Sequence, residues 1–151
     1  MIKVILLILL LLAAGLMGYV WLAPSDPARW HEDPRLVARP SSPNFYLQRM
    51  VGGDAMPPVL QISAQDLAAR MDRVATADGA KLIGGSVASG HMTYLTRSPV
   101  MGFPDYTSIL IEPAGDGAMV LAFARARFGR SDMGANRART KRWMKALQEE
   151  G

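Results

Sequence analysis

Val4 to Ala23 reads VILLILLLLAAGLMGYVWLA, twenty consecutive residues without a charge. A helix of that length rises about 30 Å, the thickness of a bilayer's hydrocarbon core. Tyr19 and Trp21 fall near one end of the run, where aromatic rings favour the membrane–water boundary. The segment is apolar on every side, and a small domain has no interior long enough to hide such a helix. Two readings remain for residues 1–23. They are a single transmembrane anchor, or a cleaved signal peptide with Lys3 as its positive n-region and Ala13-Ala14-Gly15 as small residues for cleavage. The apolar run continues past those residues through Leu22, which favours the anchor. No cysteine stands near its end, so a lipoprotein signal is excluded.

Charges beside the run are nearly balanced. The amino terminus and Lys3 lie on one side; Arg29, Arg35 and Arg39 lie on the other among Asp26, Glu32 and Asp33. A very short stub ahead of a long apolar run stays in the cytoplasm as a rule. The expectation is therefore a single-pass protein of the bacterial inner membrane, with its soluble domain in the periplasm.

The length of 151 residues allows one domain beyond such a helix. Cysteine is absent, which removes disulfides, thiolate metal sites and cysteine nucleophiles. The net charge of +4 is uneven. Residues 119–151 hold eight Lys or Arg against three acids, whereas residues 24–118 hold eight against ten. The basic character is a C-terminal feature.

Residues 24–58 carry Pro24, Pro27, Pro34, Pro40, Pro43, Pro57 and Pro58. Proline at that density breaks helix and strand repeatedly, so the segment reads as an extended tether that partly wraps the domain. Phe45, Tyr46, Leu47 and Met50 are expected to dock, since an exposed apolar cluster is costly. Residues 59–151 read as an α+β domain. Val59–Ile62 is a short strand; Ser63 opens a helix that runs to Ala77 with Leu67, Met71 and Val74 inward. Lys81–Val87 and His91–Arg97 flank a turn at Ala88-Ser89-Gly90, and Tyr106–Ile111 and Met119–Arg127 flank a turn over Pro113–Gly117. In the last strand Val120, Ala122, Ala124 and Ala126 alternate with Leu121, Phe123, Arg125 and Arg127. A final helix spans Asp132–Gln148, with Asn136, Thr140, Trp143 and Leu147 on one stripe; the two polar members need partners there. Arg137, Lys141 and Lys145 fall outside it. The fold class is an N-terminal transmembrane helix, then a small antiparallel β-meander packed against two helices.

Arg127-Phe128-Gly129-Arg130-Ser131-Asp132-Met133-Gly134-Ala135-Asn136-Arg137-Ala138-Arg139 resembles the C-terminal signature of the domain of unknown function 1499 (DUF1499) family. That signature runs R-x-G-x-S-D-x-G-x-N-R-x-R. Ser42-Pro43-Asn44 is similar to the family's N-terminal S-P-N motif, so the resemblance covers about residues 40–148. Family members often carry cysteines around S-P-N; Arg39 and Phe45 occupy that neighbourhood here. Many also carry a Ser-rich, Arg-containing strand before the glycine, where this chain has Phe123-Ala124-Arg125-Ala126-Arg127 and keeps only the last arginine. The resemblance implies a shared fold and leaves the activity open.

Chemistry alone allows two roles for that junction. Arg127 facing Asp132 and Asn136 forms a polar network that locks helix to sheet. Alternatively, free N–H groups at the helix start, with Arg127 and Arg130, bind a carboxylate or phosphate. The candidate ligand-binding set is Arg127, Arg130, Ser131, Asp132, Asn136, Arg137 and Arg139, completed by Asn44, whose simpler role is to tie the tether down. The basic last helix suits a solvated face or anionic lipid headgroups. No nucleic-acid motif accompanies it, and nucleic acid is not expected as a partner. His31 and His91 lack ligand-spaced neighbours in sequence, and no G-x-S-x-G elbow or phosphate loop occurs. No catalytic residue, metal or cofactor is expected. The sequence thus points to a non-enzymatic, membrane-anchored binding or scaffold domain in the envelope, taking a small anionic ligand, lipid headgroup or protein partner. Two alternatives stand beside it: an accessory subunit that contacts a membrane-protein complex through its transmembrane helix, and an uncharacterised hydrolase or transferase.

Overall fold

A computed structural model describes residues 1–149; the last two residues of the 59–151 segment lie outside the described residues. Helix α1 (Ile2–Leu22) and a single turn, α2 (Pro27–Trp30), precede strands β1 (Phe45–Gln48) and β2 (Val59–Leu60). Then follow α3 (Ala64–Ala77), β3 (Lys81–Ser86), β4 (His91–Arg97), β5 (Pro104–Ala114), β6 (Gly117–Ala126) and α4 (Ala135–Glu149). The described strands make one six-stranded sheet in the order β1-β6-β5-β4-β3, with β2 also on β6. Every named pair is antiparallel. The architecture is α+β, an apolar N-terminal helix followed by an antiparallel sheet and further helices.

α1 has a mean hydropathy of 2.6 and is long and apolar enough to cross a membrane; a signal sequence passes the same test. Its side chains are exposed until its last turn, where Val20 is buried against the domain.

Local chemistry sets the element ends. Ser63 Oγ accepts from the Asp66 N–H at 3.0 Å and donates to the Asp66 carboxylate, which caps α3. β5 and β6 pair from Asp105↔Ala126 to Ala114↔Gly117, so Pro113 sits inside the ladder and the turn is only Gly115-Asp116. The expected five-residue turn is replaced by longer strands. α3 and α4 lie on one face, where Leu67, Met71, Trp143 and Leu147 meet Met92, Tyr94, Ile109 and Val120. Ala118 and Ala122 of β6 face the same core and give the helices room. The inward stripe of α4 is as the spacing predicts: Asn136, Thr140, Trp143 and Leu147 are all buried.

The tether does more than the sequence suggested. Phe45–Gln48 is a strand, paired from Phe45↔Arg125 to Gln48↔Ala122. Tyr46 and Leu47 are buried there, but Met50 is exposed, contrary to expectation. Proline spacing concealed this strand, because Pro43 and Pro57 bracket it without entering it. Residues 24–44 then cover the face of the sheet that the helices leave open, with Trp30 stacked on Tyr106 at 3.9 Å between centroids.

Leu47 is fully buried, so Leu47→Ala should destabilise the domain by ~2–5 kcal/mol in chemical denaturation. Val51→Ala, at an exposed site in the same segment, should change it by less than ~0.5 kcal/mol. Equal effects would mean that β1 is not part of the cooperative unit.

Candidate functional site

The two sequence motifs meet. Asn44 Nδ2 donates to the Gly129 carbonyl at 2.7 Å, and Ser42 Oγ donates to the Arg130 carbonyl at 3.1 Å. The Ala126 N–H donates back to the Asn44 carbonyl at 2.9 Å. S-P-N thus clamps the loop between β6 and α4. That loop turns sharply: Gly129, Met133 and Gly134 all have positive φ, at 84°, 50° and 81°. Gly134 has open space where a Cβ would stand, so its backbone angle is what calls for glycine, not closeness to the sheet.

α4 begins at Ala135, three residues later than predicted, because Asp132 acts as its cap. Asp132 Oδ1 accepts from the Gly134 N–H, and Oδ2 accepts from both Asn136 N and Asn136 Nδ2. The free N–H groups that the sequence offered to an anion are therefore already engaged by a carboxylate. Arg139 completes the set: its guanidinium donates to Asn136 Oδ1 at 3.0 Å and to Asp105 Oδ2 at 2.9 Å. Burial pushes the Asp105 carboxyl above its ordinary value, against the pull of Arg139. Thr140 Oγ1 donates to the Asn136 carbonyl. A polar network does lock helix to sheet, and its arginine is Arg139.

Arg127 goes elsewhere. Side chains alternate along a strand, so Arg127 emerges with Arg125 and Phe123 on the tether face, away from α4. Its guanidinium donates to the Pro24 carbonyl and lies over the Phe128 ring at 5.3 Å. Arg130 is exposed. Of the candidate residues, Ser131, Asp132 and Arg137 line one cavity of about 320 Å3 with Arg39, Phe45, Tyr46 and Asp54. Asn44, Asn136 and Arg139 form the scaffold behind it. Arg39 is bonded to Asp54 at 2.5 Å. Burial alone would raise the Asp54 carboxyl; the bonds from Arg39 and the Leu47 N–H and the charge of Arg137 outweigh it and hold it low. Arg137 stands over the Tyr46 ring at 5.6 Å, and no described residue accepts a hydrogen bond from its guanidinium.

Sequence reasoning missed a second polar cluster, under the tether. Arg125 is only 5% exposed. Its Nη1 donates to Ser108 Oγ at 2.9 Å and to the Phe123 carbonyl at 3.0 Å. Its Nη2 donates to the Trp30 carbonyl and lies 3.1 Å from the Glu32 carboxylate. Burial draws Arg125 down to about 10, with Glu32 opposing. Ser108 spends its proton on the Trp30 carbonyl, so Thr93 donates to Ser108 and His31 Nδ1–H donates to Thr93. His31 stacks on His91 at 3.8 Å between centroids, and His91 Nε2 donates to the Glu32 carbonyl. Sixty positions apart in sequence, the two rings meet because β4 carries His91 on the face that the tether covers. Among the described residues, no group of three or more His, Cys, Asp or Glu is placed to hold a metal.

Residues 35–147 match the family described as "Protein of unknown function (DUF1499)". Comparison with curated proteins gave no match.

Burial, then His91 and Arg125, lower the affinity of His31 for a proton. The unfolded chain therefore protonates first, near pH ~6.5, and stability present above that value is lost as pH falls through the folded value. The thermal midpoint should drop between about pH 7 and pH 5, and His31→Gln should flatten that drop. Asp54, Asp33 and Asp78, all held low, act only below ~3.9. Asp105 works in the opposite sense, so the difference between wild type and His31→Gln isolates the imidazole. Parallel curves would show that His31 does not titrate differently on folding.

Proposed function

The chain belongs to the DUF1499 family, whose function is unknown, and from that premise we propose a single-pass envelope protein that binds a small anion without catalysis. α1 crosses the bacterial inner membrane and stays attached, and the domain stands in the periplasm. Support for retention comes from the apolar run, which continues past Ala13-Ala14-Gly15 through Leu22. Arg97 donates to the carbonyls of Val20 and Trp21 at the end of α1, and Arg127 donates to that of Pro24. These acceptors lie after Ala13-Ala14-Gly15, so the contacts fix where α1 leaves the domain whether or not the chain is cut there.

The binding site is the cavity between the S-P-N loop and the start of α4. Arg39 and Arg137 face Asp54 and Asp132 there, so the lining is balanced and does not attract anions by net charge. The observation that carries the proposal is the difference between the two arginines. Arg39 is taken by Asp54, while Arg137 has hydrogen-bond donors to spare beside the Ser131 hydroxyl. A guanidinium held over an aromatic ring keeps N–H donors free for a carboxylate or phosphate. Phe45 and Tyr46 supply an apolar floor beneath the two guanidinium groups.

The full chain in nanodiscs of neutral lipid should bind inorganic phosphate. At about ten times its Kd, phosphate should add ~1.4 kcal/mol to stability, read as a rise in thermal midpoint. Arg137→Gln should weaken binding about tenfold or more, whereas Lys141→Gln, exposed on the same helix, should not. An unchanged affinity in Arg137→Gln would remove this cavity as the site.

A further inference from the structure

We propose that the domain does not stand clear of the bilayer but rests in it, through two apolar loop tips that clamp the end of α1. The proposal rests on α1 being a membrane span. Tyr19 and Trp21 are two residues apart, so on a helix they point to nearly opposite flanks. Each flank is held by a different loop. Phe128, after β6, meets the Tyr19 ring edge-on with centroids 5.9 Å apart. On the other flank Trp21 lies against Gly102, in the loop between β4 and β5, and leaves no room there for a Cβ. Arg97 binds both sides of this contact: it donates to the Gly102 carbonyl at 2.8 Å and to the Val20 and Trp21 carbonyls at 3.3 Å. A cation on the last carbonyls of a helix also suits its dipole.

Depth follows from that contact. Tyr19 lies four residues before Ala23, the residue after the end of α1, which is ~6 Å along the helix axis. Helical side chains lean toward the N-terminus, here toward the bilayer. Phe128, touching Tyr19, therefore sits no higher than the zone where acyl chains meet headgroups. The tips of both loops carry apolar side chains with nothing over them: Val100 is 80% exposed and Met133 96%. On a face turned to water these would be a cost without a return. Beside α1, at the level of its aromatic residues, they have a solvent that suits them. The bilayer is the occupant that this geometry selects, because the span that fixes the height of the patch is covalently continuous with it.

The chain lacks cysteine, so single-cysteine variants report one position each. Val100→Cys and Met133→Cys at the tips, Leu9→Cys within α1 and Lys141→Cys on the exposed side of α4 all change exposed residues and leave packing intact. Each is spin-labelled in the full chain, in phosphatidylcholine nanodiscs, and its relaxation by oxygen is compared with that by a water-soluble nickel chelate. Positions 100 and 133 should favour oxygen severalfold over position 141, approaching position 9. If they match position 141 while position 9 is shielded from nickel, the clamp is above the bilayer and the proposal is wrong while the anchor stands. Nickel access at position 9 as well would overturn the anchor and this inference together.

Discussion

A guanidinium buried in the middle of the sheet dictates how the chain between α1 and the sheet must run. Desolvating Arg125 without partners would cost several kcal/mol. Ser108 and the Phe123 carbonyl satisfy one of its nitrogens from within the sheet. The other depends on the tether, through the Trp30 carbonyl and Glu32. Removing the tether would leave an uncompensated charge and expose Phe123 and Leu121, which are now buried. The segment that links α1 to the sheet is thereby a layer of the domain. Its geometry is fixed on the way to Pro24, and so the exit of α1 is fixed too.

That dependence explains what was legible in the sequence and what was not. Periodicity exposed α3 and the buried stripe of α4, because a stripe at helical spacing is a local property of the chain. The pairing of β5 with β6 was legible for the same reason, although Pro113 drew the turn too wide. β1 was invisible, since four residues among prolines carry no pattern; only the open edge of β6 makes them a strand. Arg125 read only as one member, with Leu121, Phe123 and Arg127, of an alternating strand face. Alternation put both arginines on one face, but nothing local says which face that is or that a proline-rich segment will return to cover it.

The candidate site divides along the same line. Asp132 and Asn136 are four residues apart, and they meet across the capping turn in which Met133 and Gly134 have positive φ. Which arginine joins them was not legible. Arg127 is the nearer of the two to Asp132 in sequence, yet strand alternation turns it to the opposite face; Arg139, three residues along α4 from Asn136, reaches Asp105 at the start of β5. The signature R-x-G-x-S-D-x-G-x-N-R-x-R is in this light three separate devices. Asp132, Asn136 and Arg139 lock α4 to the sheet, Arg127 holds the exit of the tether, and Arg137 keeps donors facing the cavity.

These devices share one mechanical consequence. The outer cluster of Arg125, Glu32 and Trp30, the Arg127–Pro24 contact and the Arg97 cap on α1 form a continuous path from the sheet to the last helical turn. Each link is a cationic donor on a backbone carbonyl, an arrangement that fixes position without depending on which side chain the tether carries there. A flexible linker would let the domain sample all orientations relative to α1; hydrogen bonds to successive carbonyls hold it at one distance and one rotation. The cavity beside Arg137 is built on the same sheet. Its orientation relative to α1 is accordingly set by the fold.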